Sequence, residues 1–361
     1  MKHKLKARLL IIRAWVVAHK KVSIGLGLTT VILLGFAIFA LTGKEATEIS
    51  RTEIQTVTEA EPEPEPVTVP SPLTGVAVSE EAAARPVTAV VIENSPDARP
   101  QSSLPDAGVV FEAIAEGGIT RYLAFYQESR PSTIGPVRSL RPYFTDWALT
   151  FDASIAHVGG SATALAEVGT VGLKSLNQFA YGSSYIRTTD RFAPHNVYTD
   201  FDKLDALNSQ LGYKTSEFDS FTRKAPKPAA VAKATNITVN ISSFTYQSSY
   251  KWDRATNTYL RSMAGEPEKD RETSKQLAPS VVVVIEAPYS IASDGRYSYE
   301  LVGSGKVTVF QDGNVHIGTW SKTARSAQMT FKADDGNNMR FNPGQMWMTV
   351  LSPSQEVEFT P

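Results

Sequence analysis

The sequence predicts an α+β protein: a mixed α/β domain followed by a mostly β domain, both carried behind one N-terminal transmembrane helix. Three observations predict it. Residues 22–42 carry no charge, residues 72–221 alternate Val/Ile-rich runs with helical patterns, and residues 235–361 read as strands broken by Asp-Gly turns. Those textures correspond to a membrane span, interleaved strands and helices, and consecutive hairpins.

The first element is a basic stub, residues 1–21. Lys2, Lys4, Lys6, Arg8, Arg13, Lys20 and Lys21 precede residue 44 with no Asp or Glu among them. The whole chain holds 36 Lys+Arg and 37 Asp+Glu, so the remainder carries 29 against 37, a net of −8. A basic stub ahead of an acidic body is the charge pattern of a single-pass membrane protein with a cytoplasmic N-terminus, and no nucleic-acid partner is expected. The span itself, "VSIGLGLTTVILLGFAIFALT", is 21 residues long. At about 1.5 Å of rise per residue it matches a hydrocarbon core of roughly 30 Å. A cleaved signal peptide fits less well, because the apolar run is long and no A-x-A site follows. The body is therefore expected outside the cell membrane, with the membrane itself as one partner.

Residues 43–71 form a linker around "EAEPEPEPVTVPSP", where alternating Glu and Pro favour an extended, self-repelling chain. The α/β domain then runs over 72–221. "PVTAVVIEN" and "GVVFEAIAE" read as buried strands, and Gly117-Gly118 as a tight reversal into "TRYLAFYQE". In that last run Leu123 and Phe125 share Arg121's face, while Tyr122, Ala124 and Tyr126 take the other. "YFTDWALTF", "SATALAEV" and "TDFDKLDALNSQLG" carry helical patterns, the last with a capping-box-like start at Thr199 and Asp202 and a stop at Gly212. A Pro/Ala/Lys linker at 222–234 precedes the mostly β domain at 235–361, in which "VFQDGNVHIG" reads as a hairpin.

The chain has no cysteine, which excludes disulfides, thiolate nucleophiles, Cys-based zinc and iron–sulfur sites, and a lipidated N-terminal cysteine. Chemistry must come from elsewhere, and the densest candidates are arginines and histidines beside glycine turns. In "GPVRSLRPYF", Pro142 pushes Arg141 out of the helical region, so Arg138 and Arg141 converge only through an irregular turn. Two readings stand. Convergent guanidiniums grip a carboxylate or phosphate through paired N–H forks. Alternatively they are struts, ion-paired to internal acids such as Glu112 and Glu116.

"HVGGSATAL" reads as a strand end, a turn at Gly160, and a helix capped by Ser161, whose amides could meet an anion. "YIRTTDRFAPHNVYTD" supplies Arg191, His195 and Asn196 in a loop, and His157 and His195 are acid–base candidates. A Ser161–His195–Asp190 triad can be written down, but sequence spacing carries no geometry for it. No metal and no cofactor are expected, since no His-x-x-x-His or phosphate-loop pattern occurs. In the second domain Trp252, Asp253, Tyr259 and Arg261 read as a packed strand face rather than a site.

Taken in order, "PLTG", "RPVTAVVIENSPDARPQSSLPDAGVVFEAIAEGGITRYLAFY", "IGPVRSLRPYF", "HVGGS", "RFAPHN", "YLRSMAGEPEKD", "GRYSYELVGSGKVTVFQDG" and "IGTWSK" resemble the YerB-like family of bacterial envelope lipoproteins. The resemblance covers most of residues 72–361 and implies two linked domains of uncharacterised activity. Its pattern falls on Asn94, Arg99, Gln101, Glu112, Glu116, Arg121, Arg138, Arg141, His157, Ser161, Arg191, His195 and Asn196. The family's usual anchor is a lipidated cysteine, and here the apolar segment 22–42 stands in its place. A fainter likeness, of logic rather than descent, is to LytR-type envelope phosphotransferases, which hold a polyprenyl pyrophosphate with arginines.

The leading expectation is an envelope protein whose first domain binds an anionic lipid or cell-wall polymer. Arg121, Arg138, Arg141, His157, Gly160, Ser161, Arg191, His195 and Asn196 would form the pocket, with His195 and Ser161 as catalytic candidates. The alternatives are a non-catalytic assembly or adaptor protein with the arginines as internal ion pairs, and a phosphotransferase or hydrolase. Because the body is acidic, any attraction for an anion must be local.

Overall fold

Strands that are apolar on both faces need a layer above and below them, and the sequence supplies several such strands. In the computed structural model, which describes residues 67–291 and 295–361, they form the middle of a layered fold. The stub, the span at 22–42 and most of the 43–71 linker lie outside the described residues. Among the described residues no helix is long and apolar enough to cross a membrane.

The chain enters through a short antiparallel pair, β1 (Thr68–Pro70) and β2 (Ala77–Ser79), and a one-turn helix α1 (Glu80–Ala84) capped by Ser79. There follow β3 (Thr88–Glu93), β4 (Val109–Glu116), β5 (Ile119–Tyr126), α2 (Pro142–Thr150), β6 (Ser154–His157), α3 (Ala162–Thr170) and β7 (Lys174–Asn177). A small hairpin, β8 (Ile186–Arg187) with β9 (Val197–Tyr198), leads into α4 (Phe201–Leu211). Asp200, not Thr199, caps α4, accepting the Lys203 amide at 2.8 Å, while Thr199 Oγ1 donates to the Ser184 carbonyl. Gly212 ends the helix at φ +80°, as a left-handed C-terminal residue should.

The second half begins with β10 (Asn236–Asn240), β11 (Ser248–Asp253), β12 (Thr258–Met263) and β13 (Glu266–Pro267). It continues through β14 (Val281–Glu286), the pair β15 (Tyr289–Ile291) and β16 (Tyr297–Tyr299), then β17 (Gly303–Gln311) and β18 (Asn314–Lys322). The Asp312-Gly313 turn joins β17 to β18 with both residues at positive φ, so the hairpin read from "QDG" forms. β19 (Thr330–Ala333), β20 (Met346–Leu351) and β21 (Glu356–Thr360) complete the chain.

The two halves share one ten-stranded sheet, in the order β19-β18-β17-β14-β20-β4-β5-β3-β6-β7. The join is β20 against β4, parallel, with Met346 opposite Val109. Glu65–Pro361 accordingly form one compact unit. Side-chain alternation sorts the strands onto two cores. Leu123 and Phe125 join Val91, Phe111, Val283 and Met348 under Phe144 and Trp147 of α2. Tyr122, Ala124 and Tyr126 join Val90, Val110 and Trp347 on the opposite face, beneath α4 and the second sheet, β13-β12-β11-β10-β21.

Candidate functional site

β14, β20, β4, β3, β6 and β7 run parallel, with β5 reversed among them. Their carboxyl ends therefore meet along one edge, the place where ligands gather on open α/β sheets. Glu93, Glu116, His157 and Asn177 end four of these strands there. The segment 134–141 lies across that edge as irregular chain. The Arg138 amide donates to Val91 O (2.8 Å), Leu140 to Gly159 O (3.0 Å) and Val137 to Val197 O (2.7 Å). Arg141 is extended, at φ −130° and ψ 154°, and Pro142 opens α2, as the proline spacing requires.

The guanidiniums face carboxylates and carbonyls of the chain itself. Arg121 Nη2 meets Glu116 Oε1 at 2.8 Å and its Nη1 donates to Ser139 O at 3.1 Å. Arg141 Nε meets Glu116 Oε2 at 3.0 Å, its Nη2 pairs with the same oxygen, and its Nη1 donates to Leu140 O. A bulge between Ile114 and Glu116 makes this possible: it breaks the two-residue alternation that would have sent Glu116 after Glu112 to the other face. Burial opposes ionisation of Glu116, but Arg121 and Arg141 outweigh it and hold the carboxyl below its ordinary value. Arg141 is drawn below its own ordinary value, first by burial and then by the like charge of Arg121.

Arg138 belongs to a second cluster centred on Glu93. Arg138 Nε lies 3.2 Å and His195 Nδ1 3.0 Å from Glu93 Oε2, both at ion-pair range without hydrogen-bond alignment. Ser95 Oγ donates to Glu93 Oε1 at 2.9 Å, and Asp97 stands 3.9 Å from His195 Nε2. Arg138 and His195 keep 23% and 21% of their side chains exposed, whereas Glu93 is buried. Arg191 ties the β8–β9 hairpin to the neighbouring loop, donating to Ala98 O and, at 2.6 Å, to Pro100 O. Asn196 stays within that hairpin, accepting from Arg187 Nη1 at 3.0 Å and donating to Thr188 O.

The remaining candidates are spoken for locally. His157 is buried, with Nδ1 2.7 Å from Gly159 O and Nε2 2.8 Å from Ser175 Oγ. Burial drops its pKa to about 4, against the raising effect of the Gly159 carbonyl, so the ring is neutral near pH 7. Ser161 Oγ accepts the Ala164 amide as the α3 cap, and the Ser161 amide donates to Leu140 O. Gly160 lies so close to Leu140 that a Cβ would stand 3.1 Å from that side chain. Asp190 pairs with Arg271. Ser161, His195 and Asp190 thus each have a different partner, and no triad assembles among them. Among the described residues no group of three or more His, Asp or Glu is placed to hold a metal.

Glu112 faces away from Arg138 and Arg141 and pairs at 2.8 Å with Arg261 of β12, both wholly buried. Arg261 is the charged centre beneath the join of the two halves. Glu268 is its second ionic partner, Tyr250 Oη accepts from its Nε at 3.0 Å, and Trp347 lies under its guanidinium at 4.2 Å. Desolvation alone would lower its pKa, but Tyr122, Tyr250 and Glu112 together raise it above the ordinary arginine value. Glu93 and Arg261 were missed as centres by the sequence reading. The signal for Arg261 was present: in "TYLRSM" it shares a face with Tyr259 and Met263, and that face is buried.

A cavity of about 420 Å³ lies beside this network, between Arg99, Pro100 and Gln101 and the β12–β13 turn. Arg99 is fixed by Asn94, donating from Nε to Oδ1 (3.1 Å) and from Nη2 to the carbonyl (3.0 Å), and lies 5.1 Å over the Tyr246 ring.

Residues 73–214 match the N-terminal domain, and residues 237–348 the C-terminal domain, of a family described as protein of unknown function DUF3048. The chain is 35% identical over 286 residues to YerB of Bacillus subtilis (strain 168), provisionally designated a lipoprotein; the match covers 78% of this chain and 86% of that protein. The crystal structure of YerB protein from Bacillus subtilis superposes with a TM-score of 0.73 at 32% identity, covering 80% of this chain and 99% of that one. With both domains present in order, on the fold of that structure, the chain belongs to the YerB-like family of paired DUF3048 N- and C-terminal domains.

Proposed function

We propose that this chain is an envelope protein tethered to the cell membrane through residues 22–42, N-terminus cytoplasmic, and that its extracytoplasmic body is a non-catalytic binding or assembly module. The lipoprotein designation of its relative supports the envelope placement. One observation carries the non-catalytic reading: Arg121, Arg138, Arg141 and Arg191 all direct their guanidiniums at carboxylates or carbonyls of the same chain. A carboxylate already matched to arginines leaves an uncompensated charge when its partners are removed, and an incoming anion would have to displace it.

A second reading rests on Arg138 and His195, which stay partly exposed at the carboxyl ends of the parallel strands. There a phosphate- or carboxylate-bearing envelope lipid or cell-wall polymer would compete with Glu93. The two readings separate in a thermal-shift titration of the full chain in detergent with inorganic pyrophosphate. A ligand that binds only the native state raises its melting temperature. The strut reading expects no rise at millimolar pyrophosphate, and a rise abolished by Arg138→Ala would replace it with the second.

A further inference from the structure

The cavity beside Arg99 combines features that neither ion-pair cluster has. Met263, Ala264, Pro100 and Pro267 give it apolar walls, while Arg99 and Lys269 place cations and Glu266 an anion around it. Lys269 and Glu266 are exposed. The fourth charge, Glu268, is already engaged by Arg261 and by Tyr122 Oη at 3.0 Å. Gln101 is the telling wall. Its Nε2 donates to Glu93 O (2.9 Å) and Asn94 Oδ1 (3.0 Å), which fixes the orientation of the amide. Its Oε1 is left buried without a hydrogen-bond partner. An acceptor abandoned in this way has lost its water without gaining a partner, so an N–H arriving there recovers that desolvation penalty.

We propose that this cavity binds a short zwitterionic peptide with small apolar side chains. The peptide carboxylate lies toward Arg99 and Lys269, its ammonium toward Glu266, and one of its amide N–H groups donates to Gln101 Oε1. The alternation of sign around the cavity favours such a ligand over an anionic headgroup, for which Glu266 is repulsive. A volume of about 420 Å³ falls at the small end of ligand pockets, the size of two or three alanines. Gln101 Oε1 is shielded from bulk water, so the peptide reaches it only by opening the cavity wall, to which β13 contributes Glu266 and Pro267. That strand is held to β12 by only two residue pairs, around a turn with Ala264 and Gly265 at positive φ.

The proposal rests on the reading of the body as a binding module, but its test does not use pyrophosphate or the Glu93 cluster. The full chain in detergent micelles is titrated calorimetrically with trialanine, N-acetyl-trialanine and trialanine amide. Saturable one-to-one binding of trialanine is expected, weakened at least tenfold by capping either end and at least tenfold by Lys269→Glu, an exposed position that leaves the fold intact. Gln101→Leu should weaken all three peptides; because it also removes the bonds to Glu93 O and Asn94 Oδ1, its melting temperature is measured alongside. Absence of saturable binding to the wild-type chain overturns the proposal, as does equal affinity in wild type and Lys269→Glu.

Discussion

Arg121 and Arg141 converge on Glu116 because of one extra residue in β4. Without the bulge after Ile114, Glu116 would follow Glu112 toward the second sheet, and two buried guanidiniums would lack their acid. Arg261 is the same problem solved from the other side, with Glu112 and Glu268 closing on it under Trp347. Removing the cation alone is therefore costly. Arg261→Met strands two buried carboxylates and should destabilise the fold by about 3–5 kcal/mol. Adding Glu112→Gln and Glu268→Gln should restore most of that loss in chemical denaturation; no recovery in the triple variant would show that the ions act through more than their charge. His157 gives a pH signature. Its folded pKa of about 4 lies below the unfolded value near 6.5, so the unfolded chain takes up the proton first as pH falls. Its contribution is intact above pH ~6.5 and is lost progressively toward pH ~4, by roughly 3 kcal/mol in all. A His157→Gln chain should lack that share of the acid loss, as measured by urea midpoints across this range.

The elements were legible where a short pattern decided them. The parity of "TRYLAFYQE" assigns Leu123 and Phe125 to one core and Tyr122 and Tyr126 to the other, and the Asp-Gly and Gly-Gly turns fall where their hairpins form. Pro142 set the start of α2 for the reason that removed Arg141 from a helix. Less visible was whatever depended on partners far away in sequence. The acid for Arg138 is Glu93, an unremarked residue at the end of a buried run, and Glu112 met an arginine 149 residues onward. The edge strand β19 shows how tightly strand pairing is specified. Gly318 of β18 faces Ala333, and a Cβ there would fall 1.9 Å from the Lys332 carbonyl oxygen. Gly318→Ala should force β19 away and cost about 1–3 kcal/mol, visible as a lower denaturant midpoint at unchanged m-value. An unchanged midpoint would mean that β19 yields freely.

Across the whole molecule, the two matched domains are halves of one sheet, joined at β20 and β4 and clamped by the Glu112–Arg261 pair beneath. A linker-like composition at 222–234 divides the sequence, yet Lys224 bonds Asp312 and Asn342, and Arg223 donates to Leu73 O. That segment is sewn into both halves. Such a body turns Arg121, Arg138, Arg141 and Arg191 toward its own carboxylates and carbonyls, and the function proposed for it depends on that. The most direct measurement is the melting temperature of the full chain carrying Arg121→Ala and Arg141→Ala, taken with and without millimolar pyrophosphate. With Glu116 left partly buried beside two lost partners, the account predicts a fall of roughly 4–8 °C, on the order of 2 kcal/mol, and no response to pyrophosphate in either protein. An unchanged melting temperature, together with a pyrophosphate response present in the wild type and absent in the variant, would contradict it.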